Sequence, residues 1–338
     1  GRRMLNYASF MLSAIVGGLF VPKPDVIYVW HPPLSIGVAA WAVSRLRRAP
    51  FVYDVQDIWP ESAVLSGVVK PGRLYGMMMG LERFVYRRAD HLLVVTAGAK
   101  ENLVAKGVPR EKITVFYPWA DEDLFSQADT GVARGIRQQH DWGDKFIVLF
   151  AGNLGLVQGL DTALTAMKRL PRESRARLVL LGDGSDAGRL RRIAAELDLG
   201  ERVQFIDRRP ISEMPAFLAA ADVLFVHVRA SALSSLILPS KTLTYMASGR
   251  PVLAGAIGAA ADLIEQAGAG VTVPPDDPDA LAHAIVRLEG TPEEERSAMG
   301  RNGRSYLLAN LSKEALMDEH EQVLVDVARR SPVTRGRQ

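Results

Sequence analysis

With 338 residues, 48% of them hydrophobic and 23% charged, the chain is long enough for two domains with sizeable cores and too apolar for wholesale disorder. Its lack of cysteine excludes a disulfide scaffold, a thiolate zinc site and a cysteine nucleophile. The net charge of +3 is uneven, with 17 basic and 12 acidic side chains in residues 1–140, a balance that fits an anionic lipid surface and is too weak for nucleic acid.

The sequence opens at Gly1 on Arg2 and Arg3, then runs from Met4 to Pro22 without a charge. That stretch is near the length of a membrane span, and the small pair Gly17–Gly18 behind two arginines also resembles a signal peptide. Asn6, Ser9 and Ser13 interrupt it, so a helix lying on a core or on a membrane surface is the preferred reading. The start reads as internal, with further chain expected upstream.

From Asp25 onward, short apolar runs alternate with amphipathic segments. Val26–Trp30, Phe51–Val55, His91–Thr96 and Ile113–Phe116 read as strands; Ile36–Leu46, Leu74–Arg88 and Ala97–Lys106 read as helices. β-Branched runs separated by helix-length segments imply parallel strands joined by crossovers. Pro118–Trp119 and the polar stretch to Asp144 break the rhythm, which then restarts. Strands are expected at Phe146–Phe150, Leu178–Leu181, Val203–Ile206, Val223–Val228, Val252–Ala254 and Val271–Val273. Helices are expected at Leu160–Leu170, Ala187–Leu197, Ser212–Ala220, Lys241–Ser248, Ala261–Ala267, Pro278–Leu288, Glu293–Ala309 and Lys313–Arg329, with a loose tail from Ser331 to Gln338. The expected architecture is α/β: two Rossmann-like doubly wound domains facing across a cleft, the first incomplete. Domain limits are placed at 1–138 and 139–310, with a C-terminal helix and tail over 311–338.

Ligands of such sheets sit at strand carboxyl ends, where helix N-termini and free amides converge. Gly152–Asn153–Leu154–Gly155 follows the Phe146–Phe150 strand, and Gln158–Gly159 opens the next helix. Glycines there let a backbone approach an anion, or simply make a turn. Gly182–Asp183–Gly184–Ser185 is a second strand-to-helix turn, and Arg208–Arg209–Pro210 presents guanidinium groups to a base, a phosphate or solvent. Lys241 stands in the first turn of its helix, where a cation opposes the helix dipole unless an anion shares the site; Ser240 is placed to cap that helix. In the first half, Asp54 to Glu61 follows the Phe51–Val55 strand. Asp57 there can act as a base, orient a hydroxyl or merely cap a helix, Glu61 is its backup, and Gln56 lies beside them. His31, at the end of the Val26–Trp30 strand, also occupies a ligand-facing position. The histidines have no metal-ligand spacing, so no metal site is expected. No serine elbow, Walker sequence or GxGxxG is present.

In order along the chain, Asp57–Ile58–Trp59–Pro60–Glu61–Ser62, Gly152–Asn153–Leu154–Gly155 with Gln158–Gly159–Leu160–Asp161, and Pro239–Ser240–Lys241 to Gly249–Arg250–Pro251 resemble the family-4 retaining glycosyltransferases, within them the WbuB-like branch of surface-polysaccharide assembly. The resemblance implies a GT-B fold, with an acceptor domain followed by a domain holding a nucleoside-diphosphate sugar, UDP-linked in this branch. It also implies retention at the anomeric carbon, no cofactor and no catalytic metal. The implied acceptor is a glycan or a lipid-linked one at the cytoplasmic membrane face, with peripheral membrane contact and no nucleic-acid partner. By position, Gly152, Asn153, Gln158, Gly159, Asp183 and Gly184 would approach diphosphate and sugar, and Arg208 would border the base. Lys241 would neutralise phosphate charge, and Thr244 would stand near the ribose. Asp57 and Glu61 would serve catalysis, with His31 and Gln56 on the acceptor side. Three departures stand out: the broad family's Glu-x7-Glu is here Leu236 and Thr244, Asn153 and Gln158 replace the usual basic pair, and Gln56 replaces a histidine. Alternatives are a fragment that binds sugar nucleotide without turnover and a GT-B-type sugar-nucleotide epimerase.

Overall fold

The computed structural model describes residues 2–330 other than 66, 68 and 127–129; the tail expected over 331–338 lies outside them. Two compact units emerge, Gly1–Pro118 with Glu314–Gln338, and Trp119–Lys313.

The first unit runs α1 (Arg2–Phe20), β1 (Ile27–His31), α2 (Ser35–Arg47), β2 (Phe51–Val55), α3 (Glu61–Leu65), α4 (Arg73–Arg88), β3 (His91–Val94), α5 (Ala97–Ala105) and β4 (Ile113–Val115). Its four strands pair in parallel in the order β1-β2-β3-β4. β2 is buried along its whole length, as the unbroken Phe51–Val52–Tyr53 run demands of a strand covered on both faces. α1 leans on α2, close enough that a Cβ on Gly18 would lie 2.8 Å from Val43 Cγ2. Arg47 of α2 donates to the Val21 carbonyl at 2.6 Å and the Leu19 carbonyl at 3.2 Å, satisfying the free end of α1. The other face of α1 stays open, with Leu5, Phe10, Leu12, Val16 and Phe20 exposed. No helix among the described residues is long and apolar enough to cross a membrane.

The second unit runs α6 (Glu122–Ser126), α7 (Thr130–Gln139), β5 (Phe146–Ala151), α8 (Asp161–Arg169), β6 (Ala176–Leu181), α9 (Ala187–Glu196), β7 (Val203–Ile206), α10 (Met214–Ala220), β8 (Val223–His227), α11 (Ser240–Ala247), β9 (Val252–Gly255), α12 (Ala259–Gln266), β10 (Gly270–Val273), α13 (Pro278–Gly290) and α14 (Glu293–Asn310). Its six parallel strands lie in the order β10-β9-β8-β5-β6-β7. The chain therefore starts at the centre, winds out to β7 and returns to place β8 beside β5. At that reversal the crossovers leave in opposite directions and open a crevice above the strand ends. Phe146, Val148 and Phe150 of β5 pack with Leu164 and Met167 of α8 in one continuous core.

Two expectations are corrected. The stretch read as an irregular linker carries α6 and α7, and the break between units falls at Pro118–Trp119 rather than near 138. Long-range contacts explain this. Arg137 on α7 donates to the Ala220 carbonyl at 2.8 Å and the Lys145 carbonyl at 2.7 Å, and pairs with Asp222 at 3.2 Å. Trp142 is fully buried and donates to Gln204 Oε1 at 2.7 Å. Nor is the last helix, α15 (Lys313–Arg330), a separate appendage. It returns to the first unit, where the His320 ring lies 4.8 Å from Tyr28 and 4.9 Å from Phe116.

Candidate functional site

In the second unit the loops after β5 and β6 are packed backbone to backbone. Gly182 has φ of +141°, and a Cβ on it would fall 1.9 Å from the Gly152 carbonyl oxygen. A Cβ on Gly184 would stand 2.3 Å from the Leu154 carbonyl, so only glycine permits this approach. The Leu154 amide donates to the Asp183 carbonyl at 2.9 Å and holds the two loops in register. Beside them opens a pocket of about 600 Å³ lined by Gly152, Asn153, Asp183, Gly184, Arg208 and Arg209, with Ile211 and Met214 on one wall. Asp183 accepts from the Gly184 amide at 2.7 Å, which fixes the turn.

Lys241 reaches this place from another element. Its Nζ is buried without a hydrogen-bond partner and sits 3.5 Å from the centroid of the Phe150 ring. It is also 3.1 Å from where a Cβ of Gly152 would stand. Burial lowers its pKa to about 7, because nothing nearby stabilises the ammonium except the ring face. The position is fixed by Tyr245 on the same helix, whose hydroxyl accepts from the Ala151 amide at 2.8 Å and donates to the Ala151 carbonyl at 3.2 Å. An unpaired buried cation beside a glycine loop is a site that an anion would complete.

The segments around Asn153, Gly184 and Lys241, far apart in sequence, thus meet. Of the nine residues expected at the donor, Gly152, Asn153, Asp183, Gly184 and Arg208 line this pocket, Lys241 stands beside Gly152 outside the lining, and Gln158, Gly159 and Thr244 are turned to other partners. The Gln158 side chain turns back to accept from the Gly155 amide at 3.1 Å. Gly159, with φ of +56°, lies against His227 beneath the loop. The Thr244 hydroxyl is directed to the Ser240 carbonyl at 3.5 Å, as a helix-interior threonine often is. Ser240 is the first residue of α11 and Pro239 occupies the cap position, so the expected serine cap is not formed. Sequence reasoning missed Ile211, Met214 and His227. The first two lie past a strand end with no polar signal, and His227 reads as the penultimate residue of the expected apolar strand Val223–Val228, which in the structure ends on it.

In the first unit, Asp57 follows β2 and accepts from Ser62 Oγ at 2.8 Å. Burial raises its pKa; the bonds from Ser62 and the Ile58 amide oppose the rise, and Glu61 adds to it. A carboxylate held toward neutrality in this way suits a proton acceptor. Glu61 is committed elsewhere: Lys106 Nζ lies 2.6 Å from both Glu61 and the fully buried Glu82. Gln56 donates to Asp54 Oδ1 at 2.7 Å, and Tyr28 donates to the same buried carboxylate. His31 is buried with neither ring nitrogen paired, and burial lowers its pKa to about 4, which keeps the ring neutral. Among the described residues no group of three or more His, Asp or Glu could hold a metal ion.

Two parallel α/β units, one with a pocket over the carboxyl ends of β5, β6 and β7, match the architecture of GT-B glycosyltransferases. Residues 133–306 match the family model of glycosyl transferases group 1, and residues 2–119 match a glycosyl transferase 4-like domain. The chain belongs to the glycosyl transferases group 1 family. It is 30% identical over 266 residues to the probable glycosyltransferase WbjE of Pseudomonas aeruginosa, an alignment covering 78% of this chain and 65% of that relative. It thus spans just under two thirds of WbjE. It is 26% identical to the putative colanic acid biosynthesis glycosyl transferase WcaI of Escherichia coli K12, covering 94% of this chain and 78% of the relative. The crystal structure of Anabaena Alr3699/HepE in complex with UDP superposes with a TM-score of 0.78 at 19% identity, covering 95% of this chain and 82% of that one.

Proposed function

We propose that this protein is a retaining glycosyltransferase that moves a sugar from a nucleoside diphosphate, UDP-linked, to a glycan or lipid-linked acceptor in cell-surface polysaccharide synthesis. The observation that carries this reading is the unpaired Lys241 ammonium beside the Gly152 loop and the pocket lined by Arg208 and Arg209. As the glycosidic bond breaks, the leaving diphosphate gains negative charge. A buried cation and fixed loop amides stabilise that charge more than they stabilise the bound donor, which lowers the barrier. The arginines past β7 supply the contact for the base and its phosphates, since guanidinium planes both stack and pair.

In this reading Asp57 orients the acceptor hydroxyl, and the departing phosphate assists its deprotonation. No side-chain nucleophile and no metal is required. The name of WcaI, tied to colanic acid biosynthesis, supports a polysaccharide pathway, and the UDP in the HepE complex supports the choice of nucleotide. Work at the inner face of the plasma membrane is supported by α1, which leaves an apolar face open, and by the exposed cations Lys23, Arg45 and Arg48 of the same unit.

Thermal unfolding with UDP, GDP and NAD tests the donor class. UDP is expected to raise the melting temperature and NAD to leave it unchanged; no shift with any nucleoside diphosphate overturns the reading. Proton NMR of the product from a UDP-sugar and acceptor is expected to show the donor's anomeric configuration. Release of epimerised free sugar without acceptor would replace transfer with epimerisation.

A further inference from the structure

We propose that His227, at the carboxyl end of β8, is a positioning residue for the donor loop, stapling the Gln158 carbonyl to the amide of Asp276. The inference rests on the donor-site reading above and assigns a role to a buried histidine that touches no pocket wall. His227 Nδ1 lies 2.6 Å from the Gln158 carbonyl oxygen, and the Asp276 amide donates to Nε2 at 3.2 Å. A carbonyl can only accept and an amide N–H can only donate, so the ring must be neutral with its proton on Nδ1. Burial, the largest influence, lowers the pKa and favours that neutral ring.

The surroundings are built for the ring. A Cβ on Gly255 of β9 would fall 2.2 Å from His227 Cδ2, and one on Gly159 would fall 3.0 Å from Cε1. Two glycines, one on the donor loop and one ending β9, are thus needed to seat one imidazole. Its neighbours extend the anchorage. The Arg229 amide donates to the Val157 carbonyl at 2.8 Å, and its guanidinium pairs with Asp161 and, at 3.7 Å, with Asp276. Asp276 Oδ2 accepts from the Ala230 amide at 2.7 Å, and its other oxygen accepts from Thr162 at 3.3 Å. The carbonyls of Val157 and Gln158 are therefore both drawn down onto the end of β8. The same loop carries Gly152 and Asn153 at its other end, against the pocket and Lys241. Preorganised donors cost no reordering when the anion arrives, and a loosened loop would have to be ordered by the ligand itself.

The groups facing the ring set its response to acid. Asp276 and Asp161 favour its protonation, and Arg229 opposes it. A second proton on Nε2 would face the Asp276 amide donor and break the staple.

The test uses the full chain. Nitrogen-15 NMR of the wild-type protein is expected to show His227 as the Nδ1–H tautomer, and an Nε2–H tautomer overturns the proposal even if variants fold poorly. In calorimetry His227→Phe is expected to weaken UDP binding roughly tenfold, for two hydrogen bonds lost beneath the loop. In the transfer assay donor KM should rise by a similar factor, with kcat at saturating donor and acceptor KM within about twofold, a split that general destabilisation would not produce. Wild type that binds UDP alongside a variant that binds it equally well overturns this inference alone. Wild type that binds no UDP overturns the donor reading and this inference with it.

Discussion

Lys241 is the residue on which electrostatics and function meet. Its ammonium is buried without a partner, with a pKa near 7, so part of the population is neutral in the empty protein at physiological pH. A diphosphate would raise that pKa, and UDP binding at pH 8 is expected to take up a fraction of a proton, read as buffer-dependent enthalpy in calorimetry. Lys241→Met should abolish the uptake and weaken UDP by about 1–3 kcal/mol, the range for a charge-assisted hydrogen bond. An unchanged Kd would return Lys241 to a packing role. The same shift sets a stability profile for the empty protein. The lysine binds a proton more readily unfolded than folded between about 7 and 10.5, so its contribution is complete above that window and lost as pH falls through it. Wild-type stability measured against Lys241→Met should therefore rise from pH 7 toward 10 and be flat below 7. On the acceptor side as proposed, Asp57→Asn keeps the bond to Ser62 geometrically possible but removes the carboxylate that would orient the acceptor hydroxyl. We expect turnover to fall much more than donor affinity, and the reverse pattern would place Asp57 with the donor.

At the scale of elements, α1 presents an apolar face that the fold does not cover. Phe10 and Phe20 are exposed on it, and the same unit carries the exposed cations Lys23, Arg45 and Arg48. Apolar burial and attraction to anionic headgroups then add. Phe10→Glu with Phe20→Glu is expected to abolish sedimentation with phosphatidylglycerol vesicles while leaving stability within about 0.5 kcal/mol, as for exposed positions generally. Undiminished vesicle binding would leave the face without a lipid role. The strands, by contrast, were readable as short apolar runs: β2, buried along its whole length, and β7, only partly buried, both have the limits that the sequence pattern predicts. α7 was not, because its short pattern is polar and what holds it, Arg137 against the end of α10, is remote in sequence.

For the molecule as a whole, the pocket proposed to take the donor lies within one compact unit, Trp119–Lys313. Ligand that binds only the folded state stabilises it by mass action, by about 2.7 kcal/mol at a hundredfold excess over Kd. Hydrogen exchange with saturating UDP is accordingly expected to show new protection in the loops around residues 152–159, 182–185 and 208–214. Residues 1–118 should be little changed without acceptor. Protection centred on the first unit instead would relocate the nucleotide.

Much of this protein was legible in its sequence: two parallel α/β units, most strand positions, the glycine turns, and Lys241 in a helix turn that disfavours a cation. These follow from local rules of burial periodicity, backbone freedom and the helix dipole, which neighbouring residues express by themselves. The tertiary structure alone decided which groups are spent and which are free. Gln158, Glu61 and Gln56 each look available in sequence and are taken up by Gly155, Lys106 and Asp54, whereas Lys241 is left without a partner. The seat of His227 was likewise invisible, because it is made by one glycine in the loop after β5 and another at the end of β9. Hydrogen-bond satisfaction and desolvation are properties of three-dimensional neighbours, and those neighbours lie far apart along the chain, as Gly159 and Gly255, 96 residues from each other, do around one ring.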